Sequence, residues 1–200
     1  MKHTNILLLS ALLIILPAPA LSVTPTPELK EIWLKDAALG KPYALHNIGL
    51  LYYKGIMVTR DYEESVKWFR LAAAQGDADS QDNMGDAFYY GHGVRQDYAE
   101  AVKWYRRSAE GGYPKGQNNL GNAYAEGKGV RQNYAEALKW YRLAAGQGLD
   151  MAQYKLGTMY AEGLGVQRDP ETARAWFNKA CDNGHSRACE ESRKMNEPGH

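Results

Sequence analysis

Two cysteines, five histidines and the serines are the residues of this 200-residue chain from which nucleophilic, redox or metal chemistry would have to be built. Cys181 and Cys189 are eight positions apart. In an exported protein such a pair is a disulfide candidate; in the cytosol it would be two inert thiols. His3, His46, His92, His185 and His200 are dispersed, and none completes a metal-ligand spacing with the cysteines. Serine catalysis needs an activating base at a defined spacing, but the sequence has no Ser-x-x-Lys and no Gly-x-Ser-x-Gly. It also lacks His-Glu-x-x-His and the phosphate-cradling Gly-x-x-x-x-Gly-Lys-Ser/Thr. No catalytic residue, metal ligand or cofactor is assigned on this reading, and the chain is not expected to be an enzyme.

What the sequence does contain is a ladder. Trp68, Trp104, Trp140 and Trp176 follow one another at intervals of 36 residues. The same step relates Gly49, Gly85, Gly121 and Gly157, then Val58, Val94, Val130 and Val166, and the closing Gly76, Gly112, Gly148 and Gly184. A repeat of that length is one supersecondary unit stacked on its neighbours. Within a unit, Ser80 to Tyr90 carries apolar residues on one helical face, and Gly91-His92-Gly93 stops the helix. Asp97 followed by Glu100 opens the second helix as a capping box, with Ala101, Trp104, Tyr105, Ser108 and Ala109 facing inward and Val94 plugging the loop. Asp61 with Glu64, and Asn133 with Glu136, repeat the device.

The expected architecture is all-α, a right-handed solenoid of helical hairpins. A lone capping helix over 28–40 precedes units at 41–76, 77–112, 113–148 and 149–184. A closing helix over 185–195 follows, with polar Ser192 and Arg193 where an apolar residue and glycine stand elsewhere, then a disordered tail at 196–200. In such arrays the first helices line the concave surface. On them, positions 47, 50 and 54 and their equivalents form a stripe read as opposite the core. Asn47, Asn83, Asp86, Tyr90, Asn119 and Asn122 are the candidate groove residues, because an asparagine amide offers both donor and acceptor to an extended peptide. The alternative is solvent exposure or a local hydrogen bond between helices.

The run Leu120-Gly121-x-x-Tyr124-x-x-Gly127-x-Gly129-Val130, continued by Tyr134, Ala137, Trp140-Tyr141, Ala144-Ala145 and Gly148, resembles the Sel-1-like repeat. That family is a relative of the tetratricopeptide repeat, whose period is about 34. The resemblance implies an interaction scaffold that binds a protein or peptide. Ala180-Cys181 to Ala188-Cys189 is similar to the linker of cysteine-rich exported members, where cysteines at this spacing join successive helices. It implies a Cys181–Cys189 disulfide, which the placement of Cys181 in the inward Ala145 column also suits. Descriptions of some such members as penicillin-binding or weakly β-lactamase-like supply the enzyme alternative, a cell-wall-directed hydrolase or β-lactam-binding protein. A structural subunit of an envelope complex is the third reading.

Charged residues make up 24% of the chain and the formal charge is +1, so no basic stripe points to nucleic acid. Residues 1–22 read as an export signal: Lys2, the apolar run Ile6 to Leu16, then Ala18-Pro19-Ala20 at the cleavage site. Residues 23–27 form a flexible, proline-containing lead-in. The mature chain is thus expected to be periplasmic or secreted, without membrane insertion. Intact-mass measurement of the protein from its native host should place the N-terminus near Leu21 or Val23; an uncleaved chain in the cytoplasmic fraction would refute export.

Overall fold

The computed structural model describes residues 26–196, so the expected signal at 1–22 and the tail beyond 196 lie outside the described residues. Ten helices are found among them. Helix α1 (Pro27–Ala38) stands alone. The hairpins are α2 (Pro42–Lys54) with α3 (Tyr62–Ala74), α4 (Ala78–Tyr90) with α5 (Tyr98–Glu110), α6 (Pro114–Glu126) with α7 (Tyr134–Gly146), and α8 (Asp150–Glu162) with α9 (Pro170–Asp182). Helix α10 (Ser186–Asn196) closes the array. Each helix packs on its neighbours in the chain, and α4 also reaches α6, the first helix of the next hairpin.

Local chemistry sets the helix ends. Asp61, Asp97, Asn133 and Asp169 each accept a hydrogen bond from a first-turn backbone N–H, satisfying donors a helix cannot satisfy itself. Pro42 and Pro114 begin α2 and α6 at a position where no N–H is needed. The first helices end on a left-handed glycine, as at Gly91 with φ 72°. Two residues on, Gly93 is also left-handed, and a side chain there would run into the backbone of Tyr62 in the preceding unit. Met57 holds the same place in the first hairpin with φ 61°, where only α1 precedes it.

Two aromatic columns hold the array, one within each hairpin and one between hairpins. Phe69, Tyr105, Tyr141 and Phe177 lie flat on Gly49, Gly85, Gly121 and Gly157 of the partner helix. A Cβ on Gly49 or Gly121 would fall 2.7 Å from the ring, inside any real contact. The tryptophans reach backward instead. Trp104 packs with Val66, Phe69 and Met84, while Trp140 packs with Val102, Tyr105 and Leu120. Trp33, one period before Phe69, fills the matching place against Ile48 and Leu51. Val94 is half-buried in its loop, against the cluster around Phe69.

At the C-terminal end Cys181 and Cys189 are joined in a disulfide with Cα atoms 4.7 Å apart, linking α9 to α10. Ser192 departs from expectation. Instead of presenting a polar end to water it is buried, and its hydroxyl donates to Asn178 of α9. The last helix therefore docks by a hydrogen bond where inner units use an apolar side chain.

The aromatic-on-glycine contact yields a paired prediction. Gly121→Ala should cost roughly 1–3 kcal/mol, since the Tyr141 ring and backbone must shift. Gly146→Ala, a helical glycine with nothing within 4 Å of an added Cβ, should raise stability by up to about 1 kcal/mol. Urea midpoints of the two variants, moving in opposite directions from wild type, check this.

Candidate functional site

The first-helix face of the second hairpin departs most from the repeat. Helix α4 carries Asp79, Asp82 and Asp86, with Asp77 as its N-cap. Aspartate is a poor residue for a helix interior, so local propensity does not account for Asp82 or Asp86. Position 82 is equivalent to His46, Asn118 and Tyr154, and position 86 to Leu50, Asn122 and Thr158. The second hairpin alone places a carboxylate at either.

Asp82 is 4% exposed, and its Oδ1 accepts from Asn119 Nδ2 at 2.9 Å, tying the second hairpin to the third. Asp86 is half-buried one turn on and accepts from the Tyr105 hydroxyl at 2.7 Å. The next hairpin makes the same bond with a neutral acceptor, Tyr141 donating to Asn122 Oδ1 at 2.7 Å. Where position 86 is occupied by Leu50 or Thr158, the ring is phenylalanine, Phe69 or Phe177. The fold thus needs an acceptor for a tyrosine hydroxyl at this place; it does not need a charge.

Asp77 and Asp79 have a counterpart in His46, whose Nδ1 lies 3.5 Å from Asp77 and whose Nε2 lies 3.5 Å from Asp79. Asp82 and Asp86 have no lysine or arginine at ion-pair distance among the described residues. Burial pushes Asp82 up to about 7, and repulsion from Asp86 and Asp79 adds to it, against the Asn119 hydrogen bond and Lys115. Burial likewise raises Asp86, offset by the Tyr105 hydrogen bond and more weakly by Lys115.

Aromatic rings border these carboxylates. Tyr90, 58% exposed, ends α4, and His92 stacks between it and Tyr62, with centroids at 5.6 and 4.5 Å. Tyr53 lies 5.3 Å from Tyr62. Burial first, and then Asp86, raises the hydroxyls of both Tyr53 and Tyr90, which places the two rings within its field.

His46 Nδ1 is also 2.8 Å from Ser80 Oγ, so serine, histidine and aspartate meet here. Ser80 is wholly buried, and its hydroxyl cannot reach a substrate. The trio is a polar joint between α2 and α4. Among the described residues no group of three His, Cys, Asp or Glu side chains is arranged to hold a metal ion, and no helix is long and apolar enough to cross a membrane.

The asparagine column behaves less uniformly than the sequence suggests. Asn47, Asn83, Asn119 and Asn122 are half-buried, because a first helix in a stack has neighbours on both sides. The stripe therefore faces adjoining first helices in part and is not simply opposite the core. The Asn119 amide is engaged with Asp82, the Asn122 oxygen is engaged with Tyr141, and Asn83 makes a long 3.5 Å contact to Asp79. Asp86 and Tyr90 share the acidic, aromatic stretch. Sequence reasoning missed Asp82, His46 and Ser80; the signal available was an acid at a helix-interior position whose equivalents in the other three hairpins are not acidic.

A family model described as Sel1 repeat matches residues 42–77, 78–113, 114–149 and 150–185. Among solved structures, the protective antigen c5321 of uropathogenic Escherichia coli strains, which displays an SLR fold, is 41% identical with a TM-score of 0.79. The match covers 83% of this chain and 36% of that one, so the chain spans about a third of that protein's length. A Sel1 repeat protein from Oxalobacter formigenes is 40% identical with a TM-score of 0.78, over 82% of this chain and 67% of the other. Helicobacter pylori cysteine rich protein B shares the fold at 20% identity and a TM-score of 0.54, over 66% of this chain and 95% of its own. No curated protein matches the chain significantly.

The raised Asp82 has a consequence for stability. Its carboxyl holds a proton in the folded state up to about pH 7 but only up to the ordinary aspartate range when unfolded. The folded form thus binds more protons between those limits, and stability falls as pH rises through them. Asp82→Asn, which keeps an acceptor for Asn119, should stabilise the protein at pH 8 by on the order of 2–4 kcal/mol. That gain should fade towards pH 4. Denaturant melts of both proteins across this range check it, and a gain independent of pH would refute the assignment.

Proposed function

The chain belongs to the Sel1 repeat family of protein–protein interaction modules, and from that premise we propose that it is an exported adaptor holding a segment of a partner protein along its first-helix face. The observation that carries this reading is Tyr90. An aromatic side chain 58% exposed is costly to leave in water, and nothing in the hairpin packing calls for it, since its equivalents are Lys54, Glu126 and Glu162. Exposed tyrosines beside polar groups are what binding surfaces use as anchors. The half-buried amides along the same face offer the adaptable hydrogen bonding that a segment of main chain requires.

Two features support export. The apolar run before residue 22 has the length of a secretory signal. The disulfide between α9 and α10 suits an oxidising compartment. Similarity to a protein described as a protective antigen is in keeping with this placement.

A photo-reactive phenylalanine derivative placed at position 90, and separately at the exposed Glu110 position on a second helix, tests the reading in the native host. Adducts to a defined protein at 90 and none at 110 are expected. Adducts at 110 alone would move the interaction to the opposite face and end the proposal.

A further inference from the structure

Among the described residues, Asp82 and Asp86 are a buried and a half-buried carboxylate with no lysine or arginine at ion-pair distance. They stand one turn apart on the same face of α4, so both can address a single guest. The array itself shows that their charge is not structural. At position 86 the neutral Asn122 performs the same hydrogen bond to tyrosine in the next hairpin, and at position 82 the other units use histidine, asparagine or tyrosine. Asp82 is more than nine-tenths buried, yet only Oδ1 is hydrogen-bonded, to Asn119; its second oxygen receives no hydrogen bond from the described residues. Two nearby carboxylates without a cation repel each other and lose hydration together, a cost that a fold has no reason to keep.

The surroundings specify what would relieve that cost. The His92 ring is stacked between Tyr62 and Tyr90, and Tyr90 keeps most of its surface open next to Asp86. Carboxylates and an exposed aromatic face together match a planar cation. A guanidinium brings five N–H donors in a fixed fork, enough for two carboxylates at once, and a flat face that stacks on tyrosine. An ammonium is a point charge and uses less of this arrangement.

We propose that the α4 stretch formed by Asp82, Asp86 and Tyr90 is a receptor for an arginine side chain presented by the partner segment. This rests on the first-helix face being the binding face, and adds to that reading the side chain it selects. Lys115 pulls both carboxyls down but forms an ion pair with neither, so it does not fill the place. Because Asp82 protonates near neutrality, the guest should bind more weakly below about pH 6 than at pH 8.

The test is a random-peptide display selection on the purified, disulfide-bonded chain, followed by calorimetry of a selected synthetic peptide and its twin with citrulline in place of arginine. Citrulline keeps the shape and removes the charge. The expected result is enrichment of arginine at one position, with the citrulline twin and the Asp86→Asn variant each weakening binding at least about tenfold. Glu110→Gln, an exposed acid on the second helix of the same hairpin and off the first-helix face, should leave affinity unchanged. Asp86→Asn should melt no lower than wild type at pH 8, which separates lost binding from lost fold. Selected peptides without arginine, bound equally by wild type and Asp86→Asn, would overturn the arginine receptor and leave the binding face standing. No enrichment on wild type would overturn both. Competition by free spermidine as strong as by the peptide would reassign the site to a soluble polyamine and overturn the proposal.

Discussion

The contact on which everything else depends is an aromatic ring lying on a missing side chain. Gly49, Gly85, Gly121 and Gly157 leave a flat spot on each first helix, and Phe69, Tyr105, Tyr141 and Phe177 occupy it. A hairpin made this way brings two helix backbones close while burying a large apolar area, which is the main favourable term available to a short unit. No hairpin in this chain could hide that face alone. The tryptophans then convert separate hairpins into one body, each reaching back into the cluster of the unit before it. Trp68, Trp104 and Trp140 leave their indole N–H groups buried without an acceptor, so they contribute through area and shape and not through polar bonds.

Polar groups are handled by borrowing from the neighbour. Gln81, Gln117 and Gln153 are buried on first helices, and each donates to a carbonyl at the end of the preceding second helix, Ala73, Ala109 and Ala145. A second set, Gln147 and Asn183, bonds back to Gln117 and Gln153. Helix ends that would otherwise leave carbonyls stranded in a stacked interior are satisfied from the next unit. Against that economy Asn118 leaves its buried side-chain oxygen without a partner, and the buried carboxylate of Asp82 is bonded at one oxygen only.

How much of this the sequence carries depends on whether the determining interaction is periodic. Helix boundaries, caps and inward columns repeat every 36 residues, so Asp97, Gly91, Trp104 and Tyr105 read their own roles four times over. The cysteine pair is legible because its spacing fits a turn between helices. The glutamine bridges repeat as well, but their partners are backbone carbonyls, which have no letter in a sequence. The candidate site is less legible for a further reason. Asn119 and Asn122 look alike from the repeat, yet one donates to Asp82 and the other accepts from Tyr141. Which partner each finds depends on what the adjoining unit places there, and that is unique to one pair of hairpins. Ser192 shows the same limit: a polar residue at a chain end reads as a solvated cap, but here it meets Asn178.

A stack in which every unit touches only its neighbours loses structure from its ends. The two ends of this one are not equivalent. Helix α1 is held by packing around Trp33 and by Asp36, which accepts from Lys41 and from the Tyr43 hydroxyl of α2, whereas α10 is bonded covalently to α9 through Cys181 and Cys189. Closing one end leaves the other as the place where the array begins to open. The disulfide therefore gives the molecule a polarity: disorder enters at the amino-terminal cap and advances towards the carboxy-terminal hairpin, which is the last to let go.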